Sequence, residues 1–285
     1  MQLTLVVQNL GHGGLRTGAG DPEDRWPALA ERIGAPAPDV VLLQEANGWG
    51  ANGHRQLARA MRDLDLDALP LAPSGTGYGT AILYRRETMG TWTAWNTDYA
   101  DQTLHGFGVA AFDVGLPAPL AFLSAHLDPF TPDRARAEAK LVATRAYRYG
   151  PYGIVAGDIN YPPAHPDSPA PDYAAMRPYN RASRTRLPSE VGGELVPERR
   201  VTEMLAHSGY VDVAAHLHQT TGDPACLRRT GNDDRIDQTW VSEPLTPAIV
   251  GYEVLDTPAG ASDHHGQAVR LDLDRVETTN LWTYR

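Results

Sequence analysis

The sequence predicts an α/β (α+β) fold in which two packed β-sheets are covered by helices. Short apolar runs bounded by turn residues outnumber helical patterns, and the late runs follow one another closely enough to be hairpin neighbours. No internal repeat and no shift in composition divides the 285 residues, so a single domain spanning 1–285 is expected. A chain of that length can bury a large core.

In chain order, Leu3 to Gln8 alternates in part and reads as a strand. Asp39 to Gln44 is an apolar run between a Pro-rich turn and an acidic end, the pattern of a strand buried on both faces. Further strands are expected at Gly79 to Tyr84, Gly108 to Val114, Leu120 to Ala125, Gly153 to Ala156, Arg235 to Ser242, Ile249 to Leu255 and Gly266 to Leu271. Helices are expected at about Glu23 to Ile33, His54 to Leu64, Pro132 to Tyr149 and Pro197 to Ser208. In the third, Ala135, Ala139, Val142, Ala146 and Tyr149 recur at spacings of four, three, four and three, which draws one apolar face. Tyr161 to Arg200 holds eight of the 23 prolines without a sustained period, and a Pro/Arg-rich loop is expected there.

Composition excludes several classes of function. The chain is 42% hydrophobic, and no stretch approaches the roughly 20 apolar residues of a spanning helix, so no membrane-spanning segment is expected. Met1 to Leu10 has neither a basic start nor a long apolar run, so the expected location is cytoplasmic, although a trimmed secreted chain would read the same. The one cysteine, Cys226, cannot close an internal disulfide. A formal charge of −10 argues against nonspecific contact with nucleic acid over the whole surface but not against a local basic patch. Nothing in the sequence calls for an obligate protein partner.

Polar residues gather where the apolar runs end, the positions at which a rigid scaffold can fix them. Asn9 closes the first run and Glu45 the second, His126 ends Leu120 to Ala125, and Asp158 and Asn160 follow Ile154 to Gly157. If the chain stays extended there, a spacing of two aims Asp158 and Asn160 the same way. Asp237 lies inside Arg235 to Ser242, and Asp263 and His264 precede the last run. Singly, each is an ordinary turn or cap residue. Together they combine hard oxygen donors suited to Mg²⁺ with histidines suited to proton transfer or phosphate binding, the chemistry of phosphate-ester hydrolysis.

The order of these segments is specific. Val7-Gln8-Asn9-Leu10, Leu43-Gln44-Glu45, Ser124-Ala125-His126-Leu127, Gly157-Asp158-Ile159-Asn160, Arg235-Ile236-Asp237-Gln238-Thr239-Trp240 and Ser262-Asp263-His264 resemble, in sequence and in order, the endonuclease/exonuclease/phosphatase superfamily with its deoxyribonuclease I-like fold. The resemblance implies a four-layer α/β/β/α sandwich with two mixed β-sheets and a site at one end. It implies Mg²⁺, with Mn²⁺ as substitute, held by Glu45 with Asn9 beside it and Asp263 completing the shell directly or through water. It further implies Asp158 orienting or deprotonating the attacking water, Asn160 holding the phosphate, and His264 on the scissile phosphate with Asp237 behind it. His126 resembles the extra histidine of the deoxyribonuclease, sphingomyelinase and inositol-phosphatase branches, placed to protonate the leaving oxygen.

The chain departs from the apurinic-site endonucleases of the superfamily, which commonly have Asp where Gly11 stands and Tyr where His126 stands, and this points away from abasic-site repair. His265 doubles the usual histidine and is expected behind the site or exposed, and His12 is expected in a flexible surface loop. For substrate, Arg177 to Arg200 holds six Arg against three Glu, and Arg181, Arg184 and Arg186 are candidate contacts to nucleic-acid phosphates, the alternative being a solvated loop. The expected partners are nucleic acid or a small phosphate-ester substrate. Three functions stay open: a Mg²⁺-dependent nuclease, a phosphatase or phosphodiesterase of a small metabolite or lipid headgroup, and a non-catalytic binding relative.

Overall fold

Alternation along each strand decides which layer a side chain joins. In the computed structural model, which describes residues 1–186, 190, 192–279 and 281–282, the chain opens with β1 (Gln2–Asn9), α1 (Trp26–Gly34), β2 (Val40–Gln44), α2 (Ala51–Leu64), β3 (Asp67–Ala68), β4 (Ala81–Tyr84) and α3 (Arg86–Met89). It continues with β5 (Trp92–Asn96), β6 (Val109–Phe112), β7 (Leu120–His126), α4 (Pro132–Ala146), β8 (Gly153–Asp158), α5 (Pro178–Arg184), β9 (Thr185–Arg186) and β10 (Val196–Pro197). The last elements are α6 (Arg200–His207), β11 (Tyr210–Asp212), α7 (Val213–Thr221), β12 (Asp237–Ser242), β13 (Ile249–Leu255) and β14 (Gly266–Asp272).

Two mixed six-stranded sheets result, ordered β13-β14-β1-β2-β4-β3 and β11-β12-β8-β7-β6-β5. Each contains one parallel pair, β1 with β2 and β7 with β8, and the other pairings are antiparallel. A parallel pair needs a crossover, which α1 supplies in the first sheet and α4 in the second. Leu5, Val7, Val40 and Leu42 of the first sheet meet Phe122, Ile154 and Val241 of the second in a central core. Val6, Val41 and Leu43 face the other way, onto Trp26, Leu29 and Ile33 of α1 and Leu57 and Leu64 of α2. On the far side, Leu123, Val155 and Trp240 pack against Ala135, Ala139 and Val142 of α4 and Val201 and Leu205 of α6. The four layers are therefore helix, sheet, sheet, helix, the expected architecture.

All nine expected strands and all four expected helices are present, with ends displaced by a few residues. The stretch 161–200 is less irregular than its prolines suggest, because Pro178 starts α5, where a missing N–H is no loss, and β9 pairs with β10 as a short ribbon. Among the described residues no helix is long and apolar enough to cross a membrane.

Candidate active site

The two parallel pairs bring strand ends to one edge of the sandwich. Asn9 sits opposite Gln44 at the ends of β1 and β2, with Glu45 next in the chain. Across the second sheet, His126, Asp158 and Asp237 are register partners on three neighbouring strands. The sheets lock together behind them, where Gln44 Nε2 donates to Ser124 Oγ at 2.9 Å and Ser124 Oγ donates to the Leu43 carbonyl at 3.0 Å. Gly157 is required by this contact: at φ 145°, a Cβ there would stand 2.0 Å from the Ala125 carbonyl oxygen and 2.9 Å from Gln44 Nε2. The turn before β14 is tied to β1, since Ser262 Oγ donates to the Asn9 carbonyl at 2.9 Å and accepts from His264 N at 3.1 Å. Gln8 Nε2 donates to the carbonyls of Asn9 and His264 at 2.6 and 3.3 Å.

One oxygen is the focus of the arrangement. Asp158 Oδ2 accepts from Asn9 Nδ2 at 3.1 Å and faces His126 Nε2 at 3.7 Å and His264 Nε2 at 3.9 Å. The other ring nitrogen of His264, Nδ1, is 2.8 Å from Asp237 Oδ2. Asp158, Asp237, His126 and His264 are all buried. Burial alone would pull the His264 imidazole down, but Asp237 and then Asp158 outweigh it and raise its pKa to about 10. Burial also raises the Asp158 carboxyl above its ordinary value, against the pull of His264. A raised carboxylate is a better proton acceptor, and a charged histidine beside it is an anion site.

The chain does not stay extended as far as Asn160, so the spacing of two does not set its direction. The strand ends at Asp158, and Asn160 takes a left-handed φ of 65°. Its amide N–H donates to Asp158 Oδ1 at 2.9 Å and its Nδ2 to the Leu127 carbonyl at 3.0 Å, so the turn still keeps the two residues together. Glu45 is half-buried, with φ 57°, and its Oε2 accepts from His12 N at 2.7 Å while Asn9 Nδ2 approaches Oε1 at 3.5 Å. His12 is thus no free surface loop: its backbone holds Glu45, and its ring meets Tyr78 edge-on. His265 points away, with Nδ1 bonded by Thr257 N at 3.2 Å.

Asp263 is exposed beside Gly11 and lines a cavity of about 610 Å³ together with Asn160, His264, Arg177, Tyr179, Asn180, Arg184, Asn232 and Asp233. Of the three arginines expected at substrate, Arg184 lines this cavity, while Arg181 on α5 and the exposed Arg186 on β9 do not. No partner reaches Arg184 Nε among the described residues.

Among the described residues, one group of three His, Cys, Asp or Glu side chains has ligand atoms all within 4.8 Å of one another: Asp158, Asp237 and His264. His264 is a poor ligand there, because its Nδ1 is engaged by Asp237 and its raised pKa keeps it protonated. Glu45 offers carboxylate oxygens, the donors that fit a hard divalent cation, while Asn9 turns Nδ2 toward Glu45 and Asp158 with its Oδ1 held by Gly11 N at 3.0 Å, and Asp263 stands beside Gly11. Sequence reasoning did not find Gln8, Thr230, Tyr78 or His105 around these groups. Gln8 stands inside the Val7 to Leu10 segment and was open to notice; the others are brought in by tertiary contacts alone.

The sequence pattern of the endonuclease/exonuclease/phosphatase family matches residues 8–264. No curated protein matches the chain in sequence. Among solved structures, the 3' phosphatase NExo from Neisseria bound to product DNA hairpin is similar at TM-score 0.62 and 17% identity, over 95% of this chain and 99% of that one. D. rerio TDP2 complexed with single strand DNA product is similar at TM-score 0.60 and 17% identity, over 95% and 99%. An endonuclease/exonuclease/phosphatase family protein from Bacteroides thetaiotaomicron is similar at TM-score 0.60 and 18% identity, over 95% and 97%.

Proposed function

The chain belongs to the endonuclease/exonuclease/phosphatase family, hydrolases of phosphoester bonds, and from that premise we propose that it is a Mg²⁺-dependent phosphodiesterase acting on nucleic acid. Water attacks phosphorus after giving its proton to Asp158, whose raised pKa suits it to accept. Asn160 and the protonated His264 hold the phosphoryl oxygens, and Asp237 keeps His264 charged and oriented. His126 donates from Nε2 to the departing oxygen. A divalent cation at Glu45, with Asn9 and Asp263 beside it, would supply positive charge to the phosphate as negative charge develops.

The observation that carries the nucleic-acid reading is the cavity beside Asn160 and His264. Arg184 lines it as a cation close enough to act on Asp158 and Asp234, with its Nε buried and without a hydrogen-bond partner among the described residues. Tyr179, whose hydroxyl accepts from Arg177 Nη1 at 2.9 Å, leaves its side chain 64% exposed at the same rim. An arginine for a phosphate and an open aromatic face for a base are what single-stranded nucleic acid requires. The DNA held by NExo and by TDP2 is in keeping with this reading. The cavity also favours a second reading, since Asn180, Asn232 and Asp233 could hydrogen-bond a small polyhydroxylated phosphate ester. A panel of single-stranded DNA, RNA, plasmid and phosphomonoesters, each with and without Mg²⁺, separates the two. Cleavage of nucleic acid supports the first reading, and turnover confined to a small phosphate ester replaces it with the second.

A further inference from the structure

His105 has no part in that scheme, yet its ring lies flat on the ring of His126, with centroids 3.9 Å apart and planes 13° apart. Both rings are buried. Two residues packed this closely constrain each other, and both are fastened to the same short segment. Thr76 Oγ1 is 2.9 Å from His105 Nδ1, and His126 Nδ1 lies 3.3 Å from the Tyr78 carbonyl oxygen. The Tyr78 ring then meets His105 edge-on at 6.0 Å. That segment closes down because residue 106 is glycine: at φ 76°, a Cβ there would stand 1.9 Å from the Pro73 carbonyl oxygen.

The bonding settles what each ring can do. A carbonyl only accepts, so His126 carries a proton on Nδ1 and turns Nε2 toward Asp158 at 3.7 Å. Rotating the ring by half a turn would put Cδ2 in the place of Nδ1 and Cε1 in the place of Nε2, losing both the Tyr78 bond and the approach of Nε2 to Asp158. His105 opposes that rotation as a flat wall, and it adds no charge: burial first, then His126 and Arg134, push its pKa down to about 3. Of the stacked pair, His126 is the ring whose Nε2 is directed into the site.

We propose that His105 is a positioning residue whose stacked ring, with the Tyr78 carbonyl, fixes His126 in the orientation that presents Nε2 to the leaving oxygen. The inference rests on the reading of His126 as the acid that protonates that oxygen. Two substrates test it: a dinucleotide, whose leaving group is a basic alkoxide, and bis-nitrophenyl phosphate, whose leaving group needs no proton. His105→Ala is expected to slow the dinucleotide by about 10- to 100-fold, the scale of a misplaced reacting group, with a much smaller loss on the nitrophenyl ester. His105→Phe, which restores a ring at the same place, recovers most of the loss and remains informative if the alanine variant fails to fold. On the dinucleotide, His105→Ala combined with His126→Ala is no slower than His126→Ala alone, because the two act as one unit.

Equal losses of His105→Ala on both substrates, or losses that multiply in the double variant, would overturn the inference. Its failure is separable from that of the reading beneath it. If His126→Ala itself loses equally on both substrates, the role given to His126 falls and takes the inference with it. If His126→Ala shows the leaving-group dependence and His105→Ala does not, only the role of His105 falls.

Discussion

His264 carries a proton at neutral pH because Asp237 stands 2.8 Å from Nδ1 and Asp158 3.9 Å from Nε2, which together overcome burial and raise its pKa to about 10. A histidine raised above its unfolded value of about 6.5 contributes stability that is complete below about pH 6.5 and is lost as pH rises through the folded pKa. Catalysis shares that alkaline limb if the charged ring binds the phosphate. Asp237→Asn is therefore expected to move the alkaline limb of kcat/KM toward neutrality and to flatten the loss of thermal stability over the same window. A pH–rate profile of the two proteins checks it, and an unchanged limb would mean that His264 does not depend on Asp237. The residues at this scale divide by how they can be read. Asn9, Glu45, Asp158 and His264 were legible because each ends or precedes an apolar run, where the type of side chain stands out. His105 and Thr230 were not, because they reach the site through tertiary contacts such as stacking on His126 and the bond that Asp237 N makes to Thr230 Oγ1 at 2.9 Å.

At the scale of elements, β12 starts correctly placed because Arg235 just before it is anchored to Asp212, which also accepts from Ala214 N and Ala215 N at the start of α7. The Arg235 and Asp212 side chains are 2% and 5% exposed. Removing one partner leaves the other charged and buried, so Arg235→Ala is expected to cost about 3–5 kcal/mol of stability. Denaturant unfolding measures it, and a loss under about 1 kcal/mol, the scale of an exposed pair, would contradict the account. Arg184 at the end of α5 lines the cavity, while Arg181 on the same helix and Arg186 on β9 do not. Arg184→Ala should weaken single-stranded nucleic acid binding and reduce the salt slope by about 1, whereas Arg181→Ala and Arg186→Ala should change either little. Binding isotherms at several salt concentrations distinguish the three variants, and equal effects from all would point to a diffuse charge effect instead. Long strands and the α4 face were readable from period alone. β3, β9 and β10 have two residues each, too few to express a period. α5 was hidden because prolines and arginines masked its start, and α7 because its mixed His, Gln and Thr content draws no clean apolar face.

Across the whole molecule, the two sheets repeat one plan, a parallel pair flanked by antiparallel strands, and packing them face to face sets Asn9 and Glu45 of one sheet against His126, Asp158 and Asp237 of the other. The sandwich was legible because apolar runs outnumber helical patterns and the late runs are close neighbours in the chain; which residue faces which layer, Val6 and Val41 outward and Leu5 and Leu42 inward, is set by the packing. Substrate was less so, because the sequence shows a local excess of Arg but not which of those arginines the fold brings to the cavity, where Arg184 stands and Arg181 and Arg186 do not. A site with several carboxylates and an anionic substrate needs a compensating cation, which is the physical reason to expect metal dependence. Metal-assisted attack on nucleic acid with Asp158 as base is tested by the rate of single-stranded DNA and RNA cleavage by the parent protein and by Asp158→Asn, each with Mg²⁺ and after exhaustive chelation. Expected are cleavage by the parent with Mg²⁺, its loss on chelation, and a folded Asp158→Asn protein slower by about 10² to 10⁴. Full activity after chelation, or parent-like turnover by folded Asp158→Asn, would contradict it.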